Sequence, residues 1–143
     1  MSADRVLGRR DDVTAVRGTE RAVAALTWAL DARAADPSRA YRVTADGPWG
    51  TSEGRGYDLV AALDRVRRAL EGAGWLLAVN AARPDVAQSG MLRDSGSTRA
   101  YLLREGRRGR REEMVNLFDD APADAVTTLD AQQAAHRRWL DSL

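Results

Sequence analysis

The sequence predicts an α+β fold: a mixed four-stranded sheet with one β-α-β crossover and a hairpin, flanked by N- and C-terminal helices. Three observations carry this reading. Leu59, Leu63, Val66 and Leu70 recur at the spacing of one helix face. Trp75-Leu-Leu-Ala-Val79 is an unbroken apolar run of strand length, bounded by Gly74 and Asn80. Residues 98–104 and 114–118 are two strand-like segments whose connection contains Gly106 and Gly109, which suits a hairpin.

Taken in order, residues 1–18 mix charges with Val6, Leu7, Val13 and Val16 without a sustained period, and read as an arm that is either flexible or a short strand. Residues 19–143 read as a single domain, a size at which one core suffices. From Thr19, an N-cap candidate, Val23, Leu26 and Leu30 follow at helical spacing among alanines until Asp36-Pro37, which predicts a first helix. Tyr41, Val43 and Ala45 alternate with Arg42 and Thr44 and predict a half-buried strand ending at Asp46-Gly47-Pro48. The glycine-rich stretch 47–56 then reads as a loop leading into the helix of Leu59–Leu70, closed by Gly72 and Gly74. On that helix Asp64 precedes Arg68 by four residues, the spacing of an outer-face ion pair. The 75–79 run, apolar on both faces, is expected near the sheet centre. The last helix starts at Thr127 or Thr128 and carries Leu129, His136, Leu140 and Leu143 on one stripe.

Composition excludes several chemistries. The chain has no cysteine, so disulfides, thiolate catalysis and cysteine-containing zinc sites are absent. All 22 basic residues are arginine, which removes Schiff-base chemistry and the phosphate-binding Walker lysine. With 21 acidic residues the net charge is +1, too small to give a global field for nucleic acid. No stretch reaches the roughly 18 apolar residues of a membrane span, and no apolar leader follows Met1, so a cytoplasmic protein without a membrane partner is expected. The single histidine falls on an apolar stripe, where a packed or hydrogen-bonded ring is the ordinary role. No catalytic residue, metal site or cofactor is assigned.

Three segments remain as candidates. The 47–56 stretch stands before a helix N-terminus, where phosphates bind in many folds, but its glycines fit no phosphate-loop pattern, and Trp49 can equally fold back on the core. Segment 80–97 is long for a connection and carries Arg83, Asp85, Ser89, Arg93 and Asp94; Ser89 to Arg93 has the look of a helical turn. Its two arginines either clamp an anion with help from Ser89 or are neutralised by the neighbouring carboxylates. The run Arg104-Glu-Gly-Arg-Arg-Gly-Arg-Arg111 is the only basic cluster; without interleaved aromatics it reads as a solvated hairpin tip before a nucleic-acid contact.

Across 54–118, Asp58-Leu-Val-Ala-Ala-Leu63, Leu70-Glu-Gly-Ala-Gly-Trp75, Ser89-Gly-Met91, Arg99-Ala-Tyr101 and Val115-Asn-Leu-Phe118-Asp resemble a group of small, uncharacterised bacterial α+β proteins of immunity-protein-like type. The resemblance implies an interaction role and assigns no residue a function. The leading expectation is a non-catalytic interaction protein, of the immunity type, that occludes a protein partner. It would use Arg83, Asp85, Ser89, Arg93 and Asp94, with Trp49 or Tyr101 as an aromatic anchor. The alternatives are an anion- or nucleotide-binding protein or enzyme with a pocket between 47–56 and 80–97, where Glu53 or Asp85 would be acid/base, and nucleic-acid binding through Arg107–Arg111.

Overall fold

A computed structural model describes residues 4–143. Its larger sheet has five strands in the order β4-β3-β2-β1-β5, and every pairing is antiparallel. The strands are β1 (Asp4–Arg17), β2 (Glu20–Asp31), β3 (Tyr41–Gly47), β4 (Gly50–Gly56) and β5 (Leu76–Leu77). A second antiparallel sheet of three short strands, β6 (Val86–Ala87), β7 (Arg99–Leu102) and β8 (Met114–Asn116), has β7 at its centre. Helix α1 (Leu59–Gly72) packs on the larger sheet, a one-turn α2 (Gly90–Asp94) follows β6, and α3 (Leu129–Asp141) closes the chain. No helix among the described residues is long and apolar enough to cross a membrane.

The α+β class holds, with corrections to its layout. The expected N-terminal helix is strand β2, and the expected mixed four-stranded sheet is a five-stranded antiparallel sheet beside a separate three-stranded one. Val23, Leu26 and Leu30 do have helical spacing, but Ala24, Leu26 and Trp28 also alternate, and they point into the core while Val23 is 70% exposed. Hydrogen bonding to β1 on one side and β3 on the other overrides the helix propensity of the alanines, which sequence spacing cannot register. Residues 4–17 show no period because β1 shifts register twice, between Val6 and Gly8 and between Arg10 and Val13. The turn between β1 and β2 has Gly18 at φ 59°, a conformation that glycine adopts without strain.

The stretch 50–56 is a strand rather than a loop, and its glycines answer to packing. A Cβ on Gly54 would lie 2.3 Å from the Ala62 carbonyl oxygen, and one on Gly56 would lie 2.6 Å from the Ala62 nitrogen. Helix α1 therefore rests on bare backbone of β4, with Leu63, Val66 and Leu70 reaching the core beside Val43, Ala45 and Leu26. From β4, α1 carries the chain to the far edge of the sheet. Since β5 is antiparallel to β1, β4 and β5 run in the same direction at opposite edges and never pair. The strand–helix–strand unit is present, but it spans the sheet.

Trp75–Val79 accordingly lies at an edge, not at the centre. Its outer edge is covered by a later segment of chain: the Ala121 N–H donates to Ala78 O, Asn80 N–H to Asp119 O and Ala81 N–H to Leu117 O. Trp28 stacks on Phe118 at 4.0 Å, fastening that segment to β2. The β7–β8 hairpin, α1 and α3, with Thr128 as the side-chain cap, stand where the sequence places them.

The close approach of α1 to β4 gives a direct expectation. Gly54→Val should destabilise the chain by about 3 kcal/mol, because the contact is with backbone that cannot rotate away. Gly72→Ala, with open space around its Cβ and a helical backbone, should stay within about 1 kcal/mol of wild type on the stabilising side. Urea denaturation midpoints at unchanged slope measure both; equal midpoints for the two variants would contradict the packing account.

Candidate functional site

The charged interior begins at Arg67 on α1, which is only 3% exposed. Its guanidinium donates to Ala81 O (3.3 Å), Gln132 Oε1 (2.6 Å) and Thr127 O (3.1 Å), and Nε lies 3.4 Å from Glu71. Glu71 in turn accepts from the Leu129 N–H at the start of α3, and the Gln132 amide donates to Ala81 O and Arg83 O. Burial draws the Arg67 pKa down, while Glu71 and Asp64 oppose that shift. This network joins α1, the 3-10 turn Asn80–Ala82 and α3.

Segment 80–97 is held along its length. Arg83 forms a two-point pair with Asp85 at 2.8 and 2.7 Å, and Arg93 a two-point pair with the buried Asp58 at 2.8 and 3.2 Å. Asp58 also caps α1 by accepting from the Ala61 N–H, and Arg93 lies 5.7 Å from the Tyr57 ring. The hydrogen bonds to Asp85 and Asp58 raise the pKa values of the two arginines. Ser89 caps α2 through the Leu92 N–H, and the Gln88 amide donates to Ser97 O and Arg99 O. Asp94 is exposed and forms no ion pair among the described residues. The segment has secondary structure of its own, and its arginines are occupied by carboxylates.

Glu53 sits on the strand face turned from α1, near Arg42 and Arg55 at 3.5 and 3.6 Å. Trp49 folds back, its indole N–H on Ala45 O and its ring edge-on to Trp75. Among the described residues no hydrogen bond or ion pair links Glu53 or Trp49 to segment 80–97, so the structure does not bring these two groups of candidates together. His136 is half-buried with Nε2 2.8 Å from Val86 O, and burial lowers its pKa.

Two concavities do involve segment 80–97. A cleft of about 150 Å³ lies between α1, α3 and β6, with Asp64, Gln88, Gln133 and His136 on apolar walls of Val60, Leu63, Leu117 and Leu129. Asp64 faces this cleft instead of forming the expected outer pair with Arg68: its nearest cation is Arg67 at 3.9 Å, while Arg68 approaches Asp130. Burial, only partly offset by Arg67, Arg93 and Arg68, pushes the Asp64 carboxyl up to about 6. The second concavity is a pair of adjoining apolar grooves of about 420 and 320 Å³ that share Leu103 and Trp139. Tyr101, Ser89, Arg108 and Leu143 border the larger, and Asp85, Glu105 and Arg138 the smaller. The Trp139 indole N–H donates to Arg104 O and Arg107 O, docking the arginine-rich tip against α3. Arg107, Arg108, Arg110 and Arg111 are without an ion pair among the described residues; Arg104 pairs with Glu113.

No protein-family model matches the chain, and no curated protein matches it. The sequence pattern singles out neither Arg67 nor Gln132 and puts Asp64 on an outer face, because polar residues on an amphipathic helix look solvated until a second helix covers them. The one available signal was Arg67 itself, which directly follows the inward-facing Val66.

The raised Asp64 pKa makes its charge a cost to folding. The carboxyl rises from 3.8 to about 6 on folding, so its contribution to stability is full below pH 3.8 and is lost as pH rises through 6. Asp64→Asn does not titrate, and it should exceed wild type by about 3 kcal/mol at pH 7.5, an advantage that vanishes near pH 4. Denaturation at the two pH values checks this; a constant difference would refute the assignment.

Proposed function

We propose that this chain is a non-catalytic interaction protein that acts by occluding a protein partner, as the immunity-type resemblance implies, and that its docking surface is the Leu103–Trp139 groove. The observation supporting this reading is an apolar groove bordered by Arg108, which stands in a chain segment with three more arginines without ion pairs among the described residues, at 107, 110 and 111. Every arginine of segment 80–97, by contrast, is committed to a carboxylate.

The occupant is an acidic segment of the partner carrying an apolar or aromatic side chain. The apolar side chain would fill the space beside Tyr101, Leu103 and Trp139, where removal from water supplies affinity. Its carboxylates would meet the arginines, whose forked donors suit carboxylates and whose exposure makes them an on-rate and orientation device. Tyr101 and Ser89 border this groove, and Trp49 does not.

Quantitative capture from the native host tests the proposal with three variants. Leu103→Asp should abolish enrichment of the partner, Arg108→Glu should weaken it at least tenfold, and Val23→Asp on the opposite, exposed sheet face should leave it unchanged. The captured protein should release with rising salt and carry an acidic segment that cross-links to position 108. Loss of capture with Val23→Asp but not Leu103→Asp would move docking to the sheet. Recovery of nucleic acid in place of a protein would overturn the reading in favour of the arginine tip as a phosphate contact.

A further inference from the structure

We propose that the cleft between α1, α3 and β6, which shares Ala87 and Gln88 with the Leu103–Trp139 groove, is a binding site of its own for a small guanidinium or ammonium group. Charge counting around the cleft comes first. Arg67 is matched by Glu71, Arg93 by Asp58 and Arg68 by Asp130, one carboxylate to each cation. Asp64 is left over. Its carboxylate accepts no hydrogen bond among the described residues and stands 3.9 Å from an Arg67 whose donors are directed to other acceptors. These residues thus carry four carboxylates against three arginines, and Asp64 has only the 3.9 Å approach of an Arg67 already paired with Glu71.

The remaining polar groups ask for donors as well. Gln88 spends its amide N–H groups on Ser97 O and Arg99 O, and its buried Oε1 has no hydrogen-bond partner. His136 faces a carbonyl with Nε2; a carbonyl only accepts, so Nε2 carries the proton and Nδ1 of the neutral ring keeps its lone pair. Carboxylate, amide oxygen and imidazole nitrogen are acceptors, and the Arg93 guanidinium that also lines the cleft directs its donors to Asp58 and Tyr57, so the set matches a donor-rich cation. An enclosure of about 150 Å³ admits a few heavy atoms, well below the roughly 300 Å³ at which drug-sized ligands begin. Apolar walls at Leu63 and Leu117 favour a planar, weakly hydrated guanidinium over a strongly hydrated ammonium. Such a group reaches the cleft either as a free small molecule or as an arginine side chain of a peptide.

The experiment is an amide NMR titration of the full ¹⁵N-labelled chain at pH 7.5 with methylguanidinium, methylurea, acetate and a capped Gly-Arg-Gly peptide. Methylguanidinium should give saturable shifts at the Gln88 side-chain amide and the backbone of residues 64 and 136, with methylurea and acetate at least tenfold weaker. Stronger binding of the peptide than of methylguanidinium would assign the cation to a side chain, and the reverse to a free ligand; either supports the site. Asp64→Asn, which keeps the shape of the cleft, should lose the shifts. Gln133→Glu, which adds a second carboxylate at the rim, should tighten binding. Affinity should fall about tenfold between pH 7.5 and 5, as Asp64 takes up its proton. The groups facing Asp64 are Arg67 and Arg68 on α1, Arg93 on α2, Asp58 at the α1 cap and His136 on α3; the arginines keep their charge throughout. Saturable shifts with acetate, unchanged methylguanidinium shifts in Asp64→Asn, or no saturable shifts with any probe would overturn the proposal.

Discussion

A single buried guanidinium decides how the two halves of the molecule meet. Arg67 can sit in the interior only with its donors satisfied, and those acceptors come from three places distant in sequence: the turn at Ala81, the backbone at Thr127 and Gln132 on α3. Glu71 supplies the opposite charge and simultaneously receives the first N–H of α3. Helices α1 and α3 share few backbone contacts, so this polar knot, more than apolar area, sets their relative position. The cleft between them and the start of segment 80–97 inherit that geometry. Removing the cation would leave Glu71 without its opposite charge and Thr127 O and Gln132 Oε1 without their donor in the interior, which costs far more than an exposed ion pair would contribute.

Two groups among the arginines, the only strong cations in the chain, have contrasting surroundings. Arg67, Arg83 and Arg93 are spent internally, each on a carboxylate within 3.4 Å. Those at 107, 108, 110 and 111 are held at the surface by the docking of Trp139 onto the backbone of their own segment, with no carboxylate matched to them. Arg108, one of this surface group, borders the larger apolar groove.

Much of the architecture was legible in the sequence, and the failures share a cause. Helix α1, the β7–β8 hairpin and the Thr128-capped α3 depend on local periodicity and capping, and each is found in place. Strands β1 and β2 depend on partners: alternation in Ala24, Leu26 and Trp28 becomes decisive only with β1 and β3 alongside, and the two register shifts in β1 remove its own period. The glycines of 50–56 were visible, but their reason, a helix backbone pressed against a strand backbone, is a long-range contact. For the candidate site, the alternative in which Arg83 and Asp85 neutralise each other was legible from their adjacency. The Arg93–Asp58 pair and the Asp64 cleft were not, since each joins elements far apart in sequence.

Arginine footprinting with phenylglyoxal, read residue by residue by mass spectrometry on the folded chain, tests this division of the arginines most directly. The account predicts fast modification at 107, 108, 110 and 111, slow modification at Arg83 and Arg93, and none at Arg67 before unfolding. Modification of Arg93 or Arg67 as fast as Arg108 would contradict it.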